Sequence, residues 1–358
     1  MMNRIRSLRI EKDVHRIIDK LDLDLKELTV FTELGSGNYT WTSIMAGMAH
    51  ADRVYAYTKP SRYGTVEDNI HHLDEVTESL GLDEVRSRII VVPERIGKHI
   101  SEADIITNSG FIRPIDSQMV RMMKDTAVIP LMYETWEFRR ADIAIEECIR
   151  RGIPVLGTKE EVWPLDMMRY GGFLASKLMF DCGLEVHKDR ILVIGKGRLA
   201  SNITRFLDLN GIEHLNIRNR PAHRLNLDDW DAIVVAEFGD NEMTIGPGGV
   251  IEPVQILNEN PSIQIVHICG TVDETMIRKL GLQLYPDDLR PGYMTVTADY
   301  LGPKATLELN AAGLKVGEIM ARYRLKHGYE ETIELSTKHA IVDGWQESPA
   351  TIHGSSGR

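Results

Sequence analysis

"ILVIGKGRLASN", residues 191–202, runs four apolar residues into Gly195-Lys196-Gly197 and then into a helical pattern. A strand buried on both faces, broken by two glycines and followed by a helix, is the corner on which nucleotide-binding α/β folds are built. In that reading Gly195 permits the sharp turn and Gly197 lets backbone approach a pyrophosphate. The small Ala200 lets the helix lie close on the sheet. Arg198 and Leu199 open the helix, whose first amides face the phosphates. A tight corner without any ligand uses the same glycines, so the surrounding chain has to decide.

Outward from that corner, short β-rich apolar runs alternate with helix-length amphipathic stretches. On the N-terminal side, strands are expected at 28–34, 53–58, 88–93, 103–109, 127–132 and 153–158, with helices over 65–80, 115–124 and 141–151. "PLDMMRYGGFLASKLMF" (164–180) is expected as a long helix. Beyond it come strands at 190–195, 213–218, 231–236, 263–268 and 294–298, a helix over 198–209, and a second long helix over 304–327. Residues 328–358 are polar and are expected as a loose C-terminal tail. Runs apolar on both sides imply parallel strands covered by helices on both faces. The expected class is α/β: two Rossmann-like doubly wound parallel-sheet domains joined by long helices, with a cleft between them.

A chain of 358 residues exceeds the usual size of one core, which also favours two domains. Its net charge of −11 argues against nucleic acid or an anionic membrane as the main partner. Cys148, Cys182 and Cys269 are widely spaced, without a CxxC, so neither a disulfide framework nor a zinc site is expected. "HH" at 71–72 lies in a helical pattern with no spaced third ligand, and no metal is expected. The N-terminus lacks an apolar signal core, and no apolar run approaches the roughly 18 residues that span a bilayer. A cytoplasmic protein acting on a small-molecule substrate is the expectation.

Side chains at strand ends supply the candidates for chemistry. "HLNIRNRP" places Arg218 and Arg220 where an NAD site usually has a carboxylate for the ribose hydroxyls. An arginine there suits a 2′-phosphate, which favours NADP over NAD; a solvated strand end is the alternative. Glu237 closes "AIVVAE" beside the expected cofactor. "MYETWEFRR" (132–140) sets Tyr133, Trp136 and Phe138 among Glu134, Glu137, Arg139 and Arg140 just after a strand. Such a group could stack a ring and clamp an anion, or be a helix approach with solvated charges. Asn108, Ser109 and Arg113 in "ITNSGFIRPID" could face a ligand or merely cap the next helix. "FTELGSGNYTWTS" (31–43) resembles the first motif of S-adenosylmethionine-dependent methyltransferases, with Glu33, Gly35 and Gly37 in place. After the next strand, Tyr57 and Lys59 stand where that motif expects an acidic residue. A substrate loop in which Gly35 and Asn38 meet a polar ligand explains the stretch equally well. His267, inside an apolar strand, reads as a hydrogen-bonded core residue.

With this order of parts, residues from about 100 to 325 resemble the D-isomer-specific 2-hydroxyacid dehydrogenases and their formate and glycerate dehydrogenase relatives. "FRRADIAIEECIRRGIPVLGT" (138–158) is similar to that family's "NID" turn and the helix after it. "VIGKGRLA", "WDAIVVAEFGDN" and "IVHICGTVDETMI" (265–277) are similar to its glycine turn, next strand and "NTSRG" segment, and "VTADYLG" (296–302) to its "TPH-G". The resemblance implies a substrate domain at 1–160, an NAD(P)-binding Rossmann domain at 161–302, a helix at 303–327 returning to the first domain, and a homodimer. It also implies departures. Cys269 stands where the family has an arginine that binds the substrate carboxylate, and Asp299 where it has the proton-transferring histidine. The glutamate orienting that histidine has only Asp287 or Asp288 as a counterpart. An aspartate is ionised near neutral pH unless its pKa is raised, so ordinary 2-keto acid reduction does not follow. The expected function is an NAD(P)-dependent oxidoreductase for another small polar metabolite, with Asp299, Glu134 and Cys269 as catalytic candidates. The rival readings are an S-adenosylmethionine-dependent methyltransferase and a non-catalytic nucleotide-binding homo-oligomer.

Overall fold

Apolar, β-branched runs covered on both faces become the strands of two parallel sheets. The structure, a computed structural model, describes residues 2–95, 97–217, 225–238, 242–289 and 294–346. The chain divides into two units: residues up to Leu165 together with those from Pro303 onward, and Asp166–Gly302.

In the first unit the strands are β1 (Thr29–Glu33), β2 (Arg53–Tyr57), β3 (Ile89–Val92), β4 (Ile105–Ile106), β5 (Ile129–Pro130) and β6 (Val155–Thr158). β3, β2, β1 and β4 lie side by side in parallel, a bridge between Ile105 and Val128 leads on to β5, and β5 pairs with β6. The order 3-2-1-4-5-6 is that of a doubly wound sheet whose growth reverses between β1 and β4. Its helices are α1 (Met2–Leu21), α2 (Trp41–Met48), α3 (Val66–Leu80), α4 (Asp83–Arg88), α5 (Gly97–Glu102), α6 (Ser117–Met122) and α7 (Ile145–Arg151). Local chemistry sets their ends. α3 begins in a capping box, in which Thr65 Oγ1 accepts from the Asp68 N–H at 3.1 Å and Asp68 Oδ2 accepts from the Thr65 N–H at 2.9 Å. It stops at Gly81, whose φ of 68° closes the last turn.

The second unit holds β7 (Ile191–Ile194), β8 (His214–Ile217), β9 (Ala232–Ala236), β10 (Met243–Ile245), β11 (Gln264–Cys269), β12 (Thr271–Val272) and β13 (Gln283–Tyr285). The main sheet is parallel in the order β13-β11-β9-β7-β8, and β10 and β12 form a separate parallel pair. Alternate residues of β7 feed opposite layers: Ile191 and Val193 pack with Leu178, Ala200 and Val234, while Leu192 and Ile194 pack with Ile233, Val235 and Ile265. Helices α8 (Tyr170–Asp181), α9 (Gly197–Leu209), α10 (Pro253–Glu259) and α11 (Glu274–Lys279) complete the unit. α8 lies so close to α9 that a Cβ on Gly172 would sit 2.3 Å from Phe206 Cβ. From Pro303 the chain rejoins the first unit as α12 (Pro303–Arg324), α13 (Tyr329–Ser336) and β14 (Val342–Asp343), the last antiparallel to β6.

Four expectations change. Part of the segment expected as a loose tail is structured: α13 and β14 lie within it, Thr332 and Ser336 are buried, and Trp345 Nε1 donates to the Val155 carbonyl at 2.6 Å. Residues 294–298 form no strand, and the Thr295 N–H donates to the Ile268 carbonyl at 2.8 Å. The helix expected from residue 164 begins at Tyr170, after a single 3-10 turn at Met167–Arg169. β4 keeps only Ile105–Ile106 of the expected 103–109, because the chain turns away at Thr107 to build a strand-end loop. Among the described residues no helix is long and apolar enough to cross a membrane.

Candidate functional site

Two places collect the candidate residues, one in each unit. In the second unit the sheet reverses between β7 and β9, and the glycine turn sits at the carboxyl end of β7. Open α/β sheets bind ligands at such reversals. Gly195 is required sterically, because a Cβ would lie 2.3 Å from the Ala236 carbonyl oxygen and 2.9 Å from Ala200 Cβ. Gly197 has φ +75°, and a Cβ there would meet nothing within 4 Å, so the turn is open on that side. α9 starts at Gly197 behind an extended Lys196, whose own side chain makes no capping hydrogen bond. Arg198 is exposed at its first turn, and Leu199 and Ala200 are buried against the sheet.

Glu237, buried at the end of β9, reaches the same corner. Its Oε2 accepts from the Lys196 N–H at 3.1 Å, while Lys196 Nζ reaches Glu242 at 3.1 Å. A carboxylate therefore already holds one amide of the turn. Cys269 ends β11 opposite Ala236 across a register shift and is 3% exposed. Burial, and then the charge of Glu237, push its thiol well up, so at neutral pH it is held as a buried, protonated thiol. His267 engages both ring nitrogens, with Thr295 Oγ1 at 2.8 Å and the Gly270 carbonyl at 2.9 Å, and burial lowers its pKa. Asp299 lies half-buried in the 3-10 turn Ala298–Leu301, not at a strand end. Arg218 and Arg220 lie outside the described residues.

The first unit gathers a polar group at the carboxyl ends of β1, β4 and β5. Glu33, the last residue of β1, is buried and its Oε2 accepts from the Phe111 N–H at 2.9 Å. Burial pushes its carboxyl up to about 7 against the pull of that N–H, Arg113 and Lys59. Asn108 is buried after β4: Oδ1 accepts from the Met132 N–H at 2.8 Å, and Nδ2 has no hydrogen-bond acceptor among the described residues. Tyr133 O–H donates to Asp142 Oδ2 at 3.4 Å, and Arg113 Nη1 donates to the same oxygen at 3.1 Å. Burial and then Asp142 raise the phenol's pKa; Arg113 and Arg139 pull the other way. Asn108, Tyr133 and Arg139 are thus brought together around the Arg113–Asp142 pair.

Beside them, Glu134 is buried after β5, with Oε2 accepting from Trp136 Nε1 at 2.6 Å and Oε1 from the Glu160 N–H at 3.3 Å. Burial and the charge of Glu134 push Glu137 up to about 7; burial, Glu137 and Glu134 raise Glu160. The Trp136 ring is half exposed. Gly35 and Asn38 do not join this group. Gly35 is required because its Cβ would lie 2.6 Å from Tyr39 Cβ, and Asn38 Oδ1 accepts from Arg6 of α1 at 3.3 Å. Arg95 and Glu160 escaped sequence reasoning altogether. Arg95 carried one usable signal, its place three residues after the end of β3's "IIVV" run.

No protein-family model matches the chain, and no curated protein matches it. Solved structures do. A dipicolinate synthase chain from Bacillus subtilis matches with a TM-score of 0.51 and 12% identity, over 86% of this chain and 100% of that one. Its counterpart from Bacillus halodurans gives 0.48 and 11%, over 85% and 100%. The NAD-complexed D-isomer specific 2-hydroxyacid dehydrogenase from Lactobacillus delbrueckii ssp. bulgaricus gives 0.44 and 9%, over 88% and 99%. The likeness is one of fold.

Proposed function

We propose that the chain is an NAD(P)-dependent oxidoreductase acting on a small polar metabolite, as a homodimer. The observation that carries this reading is the glycine turn at the reversal point of the second unit's sheet, where Gly197 has φ +75° and open space on its Cβ side. Gly195, Gly197, Arg198 and Leu199 would hold the pyrophosphate, with Arg218 or Arg220 taking the adenosine end and deciding NADP over NAD. The cofactor, when bound, supplies hydride chemistry; the chain's part is to orient it and to move a proton. Asp299 is the leading group for that proton in the second unit. Glu134, held by two donors, serves a substrate-orienting role in the first. Exposed Phe173 and Phe180 of α8 and Leu209 of α9 support self-association.

The test is calorimetric titration with NADPH and NADH. Gly197→Val puts a β-branched side chain at positive φ on the open face and should weaken nucleotide binding at least about tenfold, a cost of about 1.4 kcal/mol. A wild-type chain that binds neither nucleotide overturns the reading. The Glu237 carboxylate on the Lys196 N–H favours one rival, because it repels a pyrophosphate and attracts a sulfonium. Saturable binding of S-adenosylmethionine in place of NADPH would establish that rival instead.

A further inference from the structure

Three cations and one buried carboxyl group converge at the strand ends of the first unit. Lys59 follows β2, Arg95 follows β3, Arg113 belongs to the loop after β4, and Glu33 closes β1. Arg113 is engaged with Asp142, and Arg95 donates to the carbonyls of Ile112 at 2.6 Å and Pro114 at 2.9 Å. Lys59 is different. Among the described residues its half-buried ammonium meets no hydrogen-bond acceptor and lies 5.6 Å from the centroid of the Phe111 ring. Arg95 lies over the neighbouring Tyr57 ring at 5.4 Å. Burial and then the charge of Arg95 lower the ammonium's pKa, and Glu33 opposes both. A cation in that state attracts a counter-ion, and among the described residues the one acidic group that acts on it is Glu33.

Glu33 is 3% exposed, and its carboxyl holds the Phe111 N–H. The charged groups that face it are Arg113, from the loop after β4, and Lys59, from the end of β2. Those that face Lys59 are Arg95 and Glu33. Ionised, Glu33 neutralises part of this cationic group. Protonated, it leaves Lys59 and Arg95 without a compensating charge.

We propose that Lys59 and Arg95 form a site for a small oxyanion, a carboxylate or a phosphate, and that Glu33 gates it: the anion binds when Glu33 takes up a proton. The balance is one anion and one proton in, with the Glu33 carboxylate becoming a carboxylic acid and no bond to the ligand formed. The site is complete within the first unit and does not depend on the nucleotide reading of the second.

Calorimetric titration of the full chain with sodium malonate and with sodium phosphate, against sodium chloride at equal ionic strength, tests this. Each titration is run in two buffers of different ionisation enthalpy. At pH 8 the expected result is saturable binding with uptake approaching one proton. Malonate affinity should fall about tenfold per pH unit above 7 as the proton becomes harder to recruit. Malonate alone binding would assign a carboxylate, and phosphate alone a phosphate. Glu33→Gln should keep the anion but lose both proton uptake and pH dependence; Lys59→Gln should lose saturable binding while melting as a folded protein. Binding no stronger than that of chloride, binding without proton uptake, or binding that survives Lys59→Gln overturns the proposal. So does binding that disappears in Gly197→Val, since the anion would then lie at the glycine turn.

Discussion

Glu33 enters the interior because it is the last residue of β1, a strand buried from Val30 onward, and the fold places a carboxyl group where, among the described residues, one N–H and two cations answer it. The consequence for stability has a definite sign. The folded carboxyl titrates at about 7 against an ordinary 4.5, so folding binds its proton more tightly than the unfolded chain does. The stability this contributes is complete below the unfolded value and is lost as pH rises through 7. With about 1.4 kcal/mol for each pH unit of difference, the loss approaches about 3 kcal/mol. Glu33→Gln keeps an oxygen for the Phe111 N–H but cannot ionise. Urea midpoints should therefore match wild type near pH 5 and exceed it near pH 8; equal midpoints at both pH values would contradict a raised carboxyl. From sequence Glu33 reads only as the acidic end of an acidic-x-Gly-x-Gly turn. Its partners Lys59, Arg113 and Phe111 belong to other strand ends, and only the 3-2-1-4 order of strands brings them together. Cys269 shows the converse: a position made interesting by resemblance is, once packed, a buried thiol with a raised pKa.

Elements are readable from sequence where one local rule settles them. The β7–α9 corner is such a case, with four buried residues followed by a steric glycine and, one residue further on, a positive-φ glycine. α13 is not, because the side chains it buries most deeply are Thr332 and Ser336, which carry no hydrophobic signal. β14 is two residues long and exists because β6 presents an edge for it. What fastens this end is specific: Asp343 Oδ2 accepts from both the N–H and the Oγ1 of Thr135 at 2.7 Å, and Trp345 stands edge-on to Phe138 with centroids 5.2 Å apart. Trp345→Ala removes that ring packing and the bond to the Val155 carbonyl. Since Trp345 is only half-buried, the loss should be about 2 kcal/mol, below the roughly 3–5 kcal/mol typical of fully buried aromatics. Chemical denaturation measures it, and a change under about 0.5 kcal/mol would mean that the C-terminal segment rests on the unit without supporting it.

At the scale of the whole chain the two units differ in how they are made. Asp166–Gly302 is continuous, and both apolar layers of its sheet are filled by residues from within it. The first unit is not continuous. α12 lies against β4 and β5 so tightly that a Cβ on Gly317 would sit 2.7 Å from Ile105 Cγ2 and 3.1 Å from Pro130 Cγ. Thirteen α12 residues are buried, so residues up to Leu165 alone would expose an apolar sheet face. Residues 166–302 expressed alone should therefore give a cooperative melt and mixed α/β circular dichroism, whereas residues 1–165 should collapse without one. The nucleotide reading adds a second requirement, because the Gly195–Gly197 turn lies wholly within the continuous piece. Its NADPH affinity should stay within about tenfold of the full chain, a difference of at most about 1.4 kcal/mol. Sedimentation of the same piece reports whether Phe173, Phe180 and Leu209 suffice to pair two copies. A folded 166–302 that ignores NADPH while the full chain binds it would move the recognition of the cofactor off this turn, and with it the assignment of Gly197 and Arg198.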